Sequence, residues 1–191
     1  ELIEKDSVMD FVIANNDERK HMLLTKYIYN IQDLRIIFKY YPEYINSIGS
    51  INRNVRSTLL IEASRFKLND LFNLIINRLS NTIKTYTDIN GSNALHYASL
   101  WGSDYILEEL LEDGVIDKNV RNNKGRTPLM IACLMNNKNI VKLLILYGAN
   151  KFIQDVNGKT AFDYNGELML QVMNEIRMNE IRMNLDVVDG I

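Results

Sequence analysis

The sequence predicts an all-α solenoid, a row of stacked helix pairs, on three observations. One stretch recurs three times, with its glycine at positions 91, 125 and 158, so the copies stand 34 and 33 residues apart. Each copy opens on polar turn residues and runs into apolar residues at helical spacing. Two copies are followed by a second apolar run ending in glycine, Leu107-Glu-Glu-Leu-Leu-Glu-Asp-Gly114 and Val141-Lys-Leu-Leu-Ile-Leu-Tyr-Gly148. A unit of this length cannot bury its apolar faces alone, and stacked copies can.

The ends frame the repeats. Residues 1–19 are expected to form an N-terminal cap, with Val8, Phe11 and Val12 covering the first unit. Degenerate copies are expected upstream. One runs over Met22–Tyr41, marked by Asp33-Leu34 and Ile36-Ile37-Phe38. Another runs from Thr58 through Ala63-Ser64 to Leu71-Phe72 and Leu74-Ile75-Ile76.

The central copies read Asp88-Ile-Asn-Gly-Ser-Asn-Ala-Leu-His-Tyr-Ala98, Asn122-Asn-Lys-Gly-Arg-Thr-Pro-Leu-Met-Ile-Ala132 and Asp155-Val-Asn-Gly-Lys-Thr-Ala-Phe-Asp-Tyr-Asn165. Asn90-Gly91 and Asn157-Gly158 suit a tight turn that needs positive φ. Thr127-Pro128 marks a helix start, because the hydroxyl caps an orphan N–H and proline loses nothing at the first helical position. Leu129, Ala132 and Cys133 then share a face. The small pairs Ala98-Ser99 and Ala132-Cys133 let a second helix approach. That helix is expected over Asn139–Tyr147, with Ile140, Leu143 and Leu144 inward and Gly148 as a left-handed stop.

Past Gly166 a capping helix is expected, with Leu168, Val172 and Ile176 at four-residue spacing. Asn174-Glu-Ile-Arg-Met178 is repeated as Asn179-Glu-Ile-Arg-Met183. A five-residue period does not hold one helix face, so residues past about 184 are expected to be loose. Residues 1–191 thus read as one domain: cap (1–19), repeats (20–164), capping helix and tail (165–191).

Composition narrows the function. The chain has 191 residues, is 47% hydrophobic and carries a net charge of −2. No basic excess exists to follow a phosphate backbone, so nucleic acid is not expected as partner. No apolar run approaches a membrane span, and neither a signal peptide nor membrane insertion is expected. A single cysteine, Cys133, fits a reducing, intracellular setting, cytoplasmic or nuclear. Two histidines and one cysteine do not make a common zinc site, and no cofactor or metal is expected. Cys133 has no patterned base beside it and reads as packing. Gly91, Gly125 and Gly158 come one per repeat and form no phosphate cradle. Glu108, Glu109, Glu112 and Asp113 read as a solvated face.

Thr127-Pro128-Leu129 with Leu144-Ile145 and Gly148-Ala149-Asn150, and Asn93-Ala94-Leu95-His96-Tyr97-Ala98 with Gly102, resemble the ankyrin repeat. The resemblance is closest over 88–164, looser over 55–87 and weakest over 20–54. It implies four to five repeats including degenerate ends, short β-hairpin loops between helix pairs, and a histidine, His96, that ties adjacent turns together.

It further implies that a partner protein docks on the hairpin tips and the exposed face of the inner helices. Register puts the tips at Ile89, Asn90 and Ser92, at Asn123, Lys124 and Arg126, and at Val156, Asn157 and Lys159. The exposed inner-helix pairs are Arg65-Phe66, Leu100-Trp101 and Leu134-Met135. Phe66, Trp101 and Met135 then form a column, with Arg65, Leu100 and Leu134 beside it. Aromatic residues and arginine dominate interface energetics, so Trp101 is the expected anchor, unless these side chains pack against the next repeat. Lys124, Arg126 and Lys159 form a basic rim suited to an acidic or phosphorylated segment. The chain is expected to be a monomeric, non-enzymatic binding module: an adaptor or regulator, or a pathogen protein engaging a host factor, with mimicry of NF-κB-inhibitor-type proteins as one case. The alternative is a targeting or regulatory domain cut from a larger enzyme.

Overall fold

The computed structural model describes residues 30–46, 48–52 and 55–188. The expected cap over 1–19, His21 and the start of the first degenerate copy lie outside the described residues. The described helices are α1 (Ile31–Tyr40), α2 (Leu59–Phe66), α3 (Asn69–Ile75), α4 (Asn81–Lys84), α5 (Ala94–Trp101), α6 (Asp104–Asp113), α7 (Pro128–Leu134), α8 (Lys138–Leu146) and α9 (Ala161–Val188). Short 3-10 turns cover Pro42–Asn46 and Ile76–Arg78.

Polar residues start the inner helices in register. The side chains of Thr58, Asn93 and Thr127 accept from the backbone N–H groups of Ile61, His96 and Met130 at 3.2, 3.3 and 3.3 Å, filling donors that a helix start leaves orphaned. The ends are equally regular. Lys67, Gly102 and Asn136 take left-handed φ of 55°, 69° and 55°. The next N–H reaches back across the turn: Leu68 to Ala63 O, Ser103 to Ala98 O and Asn137 to Ala132 O, at 3.0, 3.0 and 2.9 Å. This is the six-residue closure of a left-handed helix cap.

Helices α2, α5, α7 and the start of α9 stack side by side as an inner layer. Helices α3, α6 and α8 lie against them as an outer layer, and α1 packs on α3. Leu60, Ala63, Leu95, Ala98, Ala132, Leu107, Leu110, Ile140 and Leu144 form the continuous core between the layers. The small residues at 63, 98 and 132 explain the close approach.

Only the first described hairpin is a β-ladder: β1 (Ile48–Asn52) pairs antiparallel with β2 (Val55–Thr58). The later hairpins at 88–92, 122–126 and 155–159 are tight turns without strands.

The last helix runs through the duplicated pentads to Val188. Glu, Arg, Met and Leu favour helix whichever way their face turns, so the five-residue period costs packing and leaves the helix intact. Asn165, in extended conformation at φ −163°, interrupts the helix near its start, and its side chain caps the continuation by accepting from Leu168 N–H at 3.1 Å. Leu168, Met169 and Val172 are buried against the preceding repeat, while residues 177–182 are exposed.

Candidate functional site

Each of the tips at 88–92, 122–126 and 155–159 is built around one side chain. Asp88 Oδ1 accepts from the N–H groups of Asn90 and Ser92, both at 2.8 Å. Asn122 Oδ1 does the same for Lys124 and Arg126 at 3.0 and 3.1 Å, and Asp155 Oδ1 for Asn157 and Lys159 at 2.8 and 2.9 Å. Such side-chain turns preorganise the backbone. The tips are then chained to one another. Asn123 N–H donates to Asn90 O at 2.9 Å, and Val156 N–H to Lys124 O at 3.2 Å. Gly125 lies at the second of these approaches. At φ +70° an added Cβ would stand 2.8 Å from Val156 N, so both the conformation and the contact require glycine.

His96 ties turns together, as the resemblance implies. Its Nε2–H donates to Arg126 O at 3.1 Å, across to the next repeat, since a carbonyl can only accept, and Nδ1 stands 3.2 Å from Asn93 N and 2.8 Å from Asn93 Oδ1. Burial pushes the ring's pKa down to about 4 from 6.5. The unfolded chain therefore takes up a proton that the folded chain refuses. This contribution is complete above pH 6.5 and drains away as pH falls through 4, by about 3 kcal/mol at most. Urea denaturation across that range is expected to show the loss, and His96→Gln to flatten the slope.

Two tyrosines extend the tips onto the inner helices. Tyr97 OH donates to Asp88 Oδ2 at 2.7 Å, and Tyr164 OH to Asp155 Oδ2 at 2.6 Å. The carboxylates hold these phenols protonated: the Tyr97 pKa is raised by burial and by Asp88, that of Tyr164 by burial and by Asp155. The Arg65 guanidinium lies 5.7 Å from the centre of the Tyr97 ring, and that of Arg126 lies 5.1 Å from the Tyr164 ring. The Asp–Tyr pairs escape a reading confined to the turn and the helix start, yet the nine-residue spacing is visible twice, at 88/97 and 155/164.

Arg126 is not a free rim cation. It is half-buried, and its Nε–H donates to Tyr164 OH at 2.8 Å. Lys124 and Lys159 are exposed. Ser92 is half-buried and accepts from Asn122 Nδ2 at 3.4 Å. Asn123 is exposed and spends Nδ2 on Ile89 O at 2.9 Å.

A cleft of about 320 Å³ opens between the second and third tips and helices α5 and α7. Of the residues expected to bind a partner, Asn90, Ser92, Leu100, Asn123, Lys124, Arg126 and Leu134 line it, together with His96, Tyr97, Asn122 and Ile131. Arg65, Phe66, Ile89, Trp101, Met135, Val156 and Lys159 do not. Phe66, Trp101, Leu134 and Met135 expose 44%, 50%, 47% and 48% of their surface at the ends of the inner helices. Ile89 and Val156 are exposed on the tips, and Arg65 and Leu100 are half-buried.

No catalytic set accompanies the cleft. Cys133 is buried, and burial pushes its thiol up to about 12, which disables it as a nucleophile at neutral pH. Among the described residues no His, Cys, Asp and Glu cluster could hold a metal ion, and no helix is long and apolar enough to cross a membrane.

A family model described as ankyrin repeats (3 copies) matches residues 59–155, just over half of the chain. The chain belongs to the ankyrin-repeat family. Ankyrin relatives come from several kingdoms. The rice protein named probable E3 ubiquitin-protein ligase XBOS32 is 40% identical over 81 residues, 41% of this chain and 16% of that protein. The putative ankyrin repeat protein L86 of Acanthamoeba polyphaga mimivirus is 41% identical over 95 residues, 44% of this chain and 16% of that protein. The target of rapamycin complex 2 subunit AVO2 of Saccharomyces cerevisiae is 31% identical over 104 residues, 54% of this chain and 24% of that protein. The chain thus spans a quarter or less of these relatives, and the ankyrin repeats carry the match. Ankyrin repeats are protein-interaction modules and generally not catalytic.

Proposed function

We propose that this ankyrin stack is a non-enzymatic module that holds a partner polypeptide on the face formed by its hairpin tips and inner helices. The observation that carries the reading is the row of half-exposed apolar side chains, Phe66, Trp101 and Met135 with Leu134, closing three successive inner helices in the same register. Apolar surface repeated on a water-facing side is a mark of an interaction site. The face is preformed: side-chain turns hold the tips, left-handed caps hold the helix ends, and inter-repeat bonds chain the tips. Little ordering is left to oppose binding. The buried single thiol fits a reducing, intracellular location. Two mimivirus ankyrin proteins among the relatives support a pathogen protein engaging a host factor, and the plant, yeast and human relatives support an adaptor of the cell's own.

The chain's single tryptophan reports on this face directly. With a partner isolated from the native cell on immobilised protein, Trp101 emission is expected to shift to the blue and to lose its quenching by acrylamide. Binding detected by calorimetry with Trp101 emission unchanged would place the partner elsewhere.

A further inference from the structure

The middle repeat breaks a pattern that its neighbours keep. The second and fourth tips each carry an aspartate bonded to a tyrosine nine residues on, Asp88–Tyr97 and Asp155–Tyr164. The third carries Asn122 and Ile131 at those positions. Asn122 still builds the turn. Ile131 is shorter than tyrosine and has no hydroxyl to reach it. The 320 Å³ cleft opens at this break, walled by Tyr97, Leu100, Ile131 and Leu134. Its volume lies at the small end of ligand pockets, about 300–1,000 Å³, which suits one large side chain.

One exposed cation stands at the mouth of the cleft. Lys124 and Arg126 line it. Arg126 gives its Nε–H to Tyr164 and lies in the field of Asp155, whereas Lys124 is exposed and, among the described residues, takes no part in the ion pairs Lys84–Asp113 and Lys138–Glu175, both away from this face. The tip carboxylates Asp88 and Asp155 are buried and committed through both oxygens to the turn and to tyrosine. Glu62 is buried on α2, and Asp163, beside Lys159, accepts from Thr160. Exposed Glu108 and Glu112 lie on the outer helix α6. A chain with net charge −2 therefore presents the exposed Lys124 cation at the edge of an apolar slot.

We infer that the slot left by Asn122 and Ile131 takes a single bulky apolar side chain of an acidic peptide segment, a flanking carboxylate of which meets the exposed Lys124 at its rim. This rests on the proposed docking face and adds the chemistry of its occupant. Close charge pairs at such a rim steer encounter and set specificity.

The test is a phage-displayed library of random 12-residue peptides panned on the full 191-residue chain, with enriched peptides synthesised and titrated. The expected peptides are net acidic around one Leu, Phe or Trp, and their binding weakens as salt rises. The double variant Asn122→Asp/Ile131→Tyr rebuilds the neighbours' own pair, so it should fold while closing the slot, and is expected to lose about 30-fold or more in affinity. Lys124→Glu, at an exposed position, is expected to slow association about tenfold with the melting temperature unchanged. Neutral or basic enriched peptides, no enrichment at all, or full binding by both variants would overturn the inference. Neutral peptides that still require Trp101 would overturn it while leaving the docking face standing. Peptides indifferent to both Trp101→Ala and Leu134→Ala would remove the docking face itself.

Discussion

Trp101→Ala is expected to weaken partner binding by about 2–4 kcal/mol, a loss of roughly 30-fold or more in Kd, with the melting temperature moving by only a few degrees. The ring is half-exposed at the last position of α5, so truncation opens no cavity. Gly102 takes the left-handed cap regardless of its neighbour's side chain. The binding loss is large for the opposite reason: a half-exposed indole becomes fully buried only under a partner, and the desolvation gain of its exposed half is realised there. Calorimetric titration alongside thermal melting separates the two effects. A collapsed melting temperature with unchanged affinity in the folded fraction would make Trp101 a core residue.

Phe72→Ala is expected to cost about 3–5 kcal/mol of stability. Phe72 is completely buried on α3 and meets Tyr105 of α6 edge to face, with ring centres 6.2 Å apart. Tyr105 in turn donates to Asn73 Oδ1 at 2.8 Å. This is a seam between neighbouring outer helices. In a stack, each repeat is held by its own core and by its neighbours, so damage there should stay local. Amide protection is expected to fall over residues 59–84 and to persist over 127–176 in native-state hydrogen exchange. A uniform loss across both stretches, or a cost below about 1 kcal/mol, far short of the usual penalty for a buried phenylalanine, would show that the repeats do not stack as separable units.

What the sequence makes legible follows from where the physics is local. Gly91, Gly125 and Gly158, with Asp88, Asn122 and Asp155, announce the tips because backbone sign and side-chain turns act over four residues. Thr127-Pro128 announces a helix start for the same reason. The inner-helix ends could be aligned because the small pairs Ala63-Ser64, Ala98-Ser99 and Ala132-Cys133 each precede the exposed pair. Side-chain commitments across repeats were less legible. Arg126 reads as a rim cation until Tyr164, 38 residues away, takes its Nε–H. The cleft is invisible in any single copy, since it exists only by contrast between Ile131 and the tyrosines on either side. The C-terminal helix was legible in the spacing of Leu168, Val172 and Ile176, whereas its extent was not, because facial periodicity governs packing and helix propensity governs whether the backbone coils at all.

Docking on the tips and inner helices leaves a direct signature in amide hydrogen exchange measured with and without bound partner. Exchange is expected to slow at residues 88–92, 122–126 and 155–159 and at the ends of α5 and α7, with α3, α6 and α8 unchanged. Slowed exchange confined to those outer helices, with the tips exchanging as before, would contradict it.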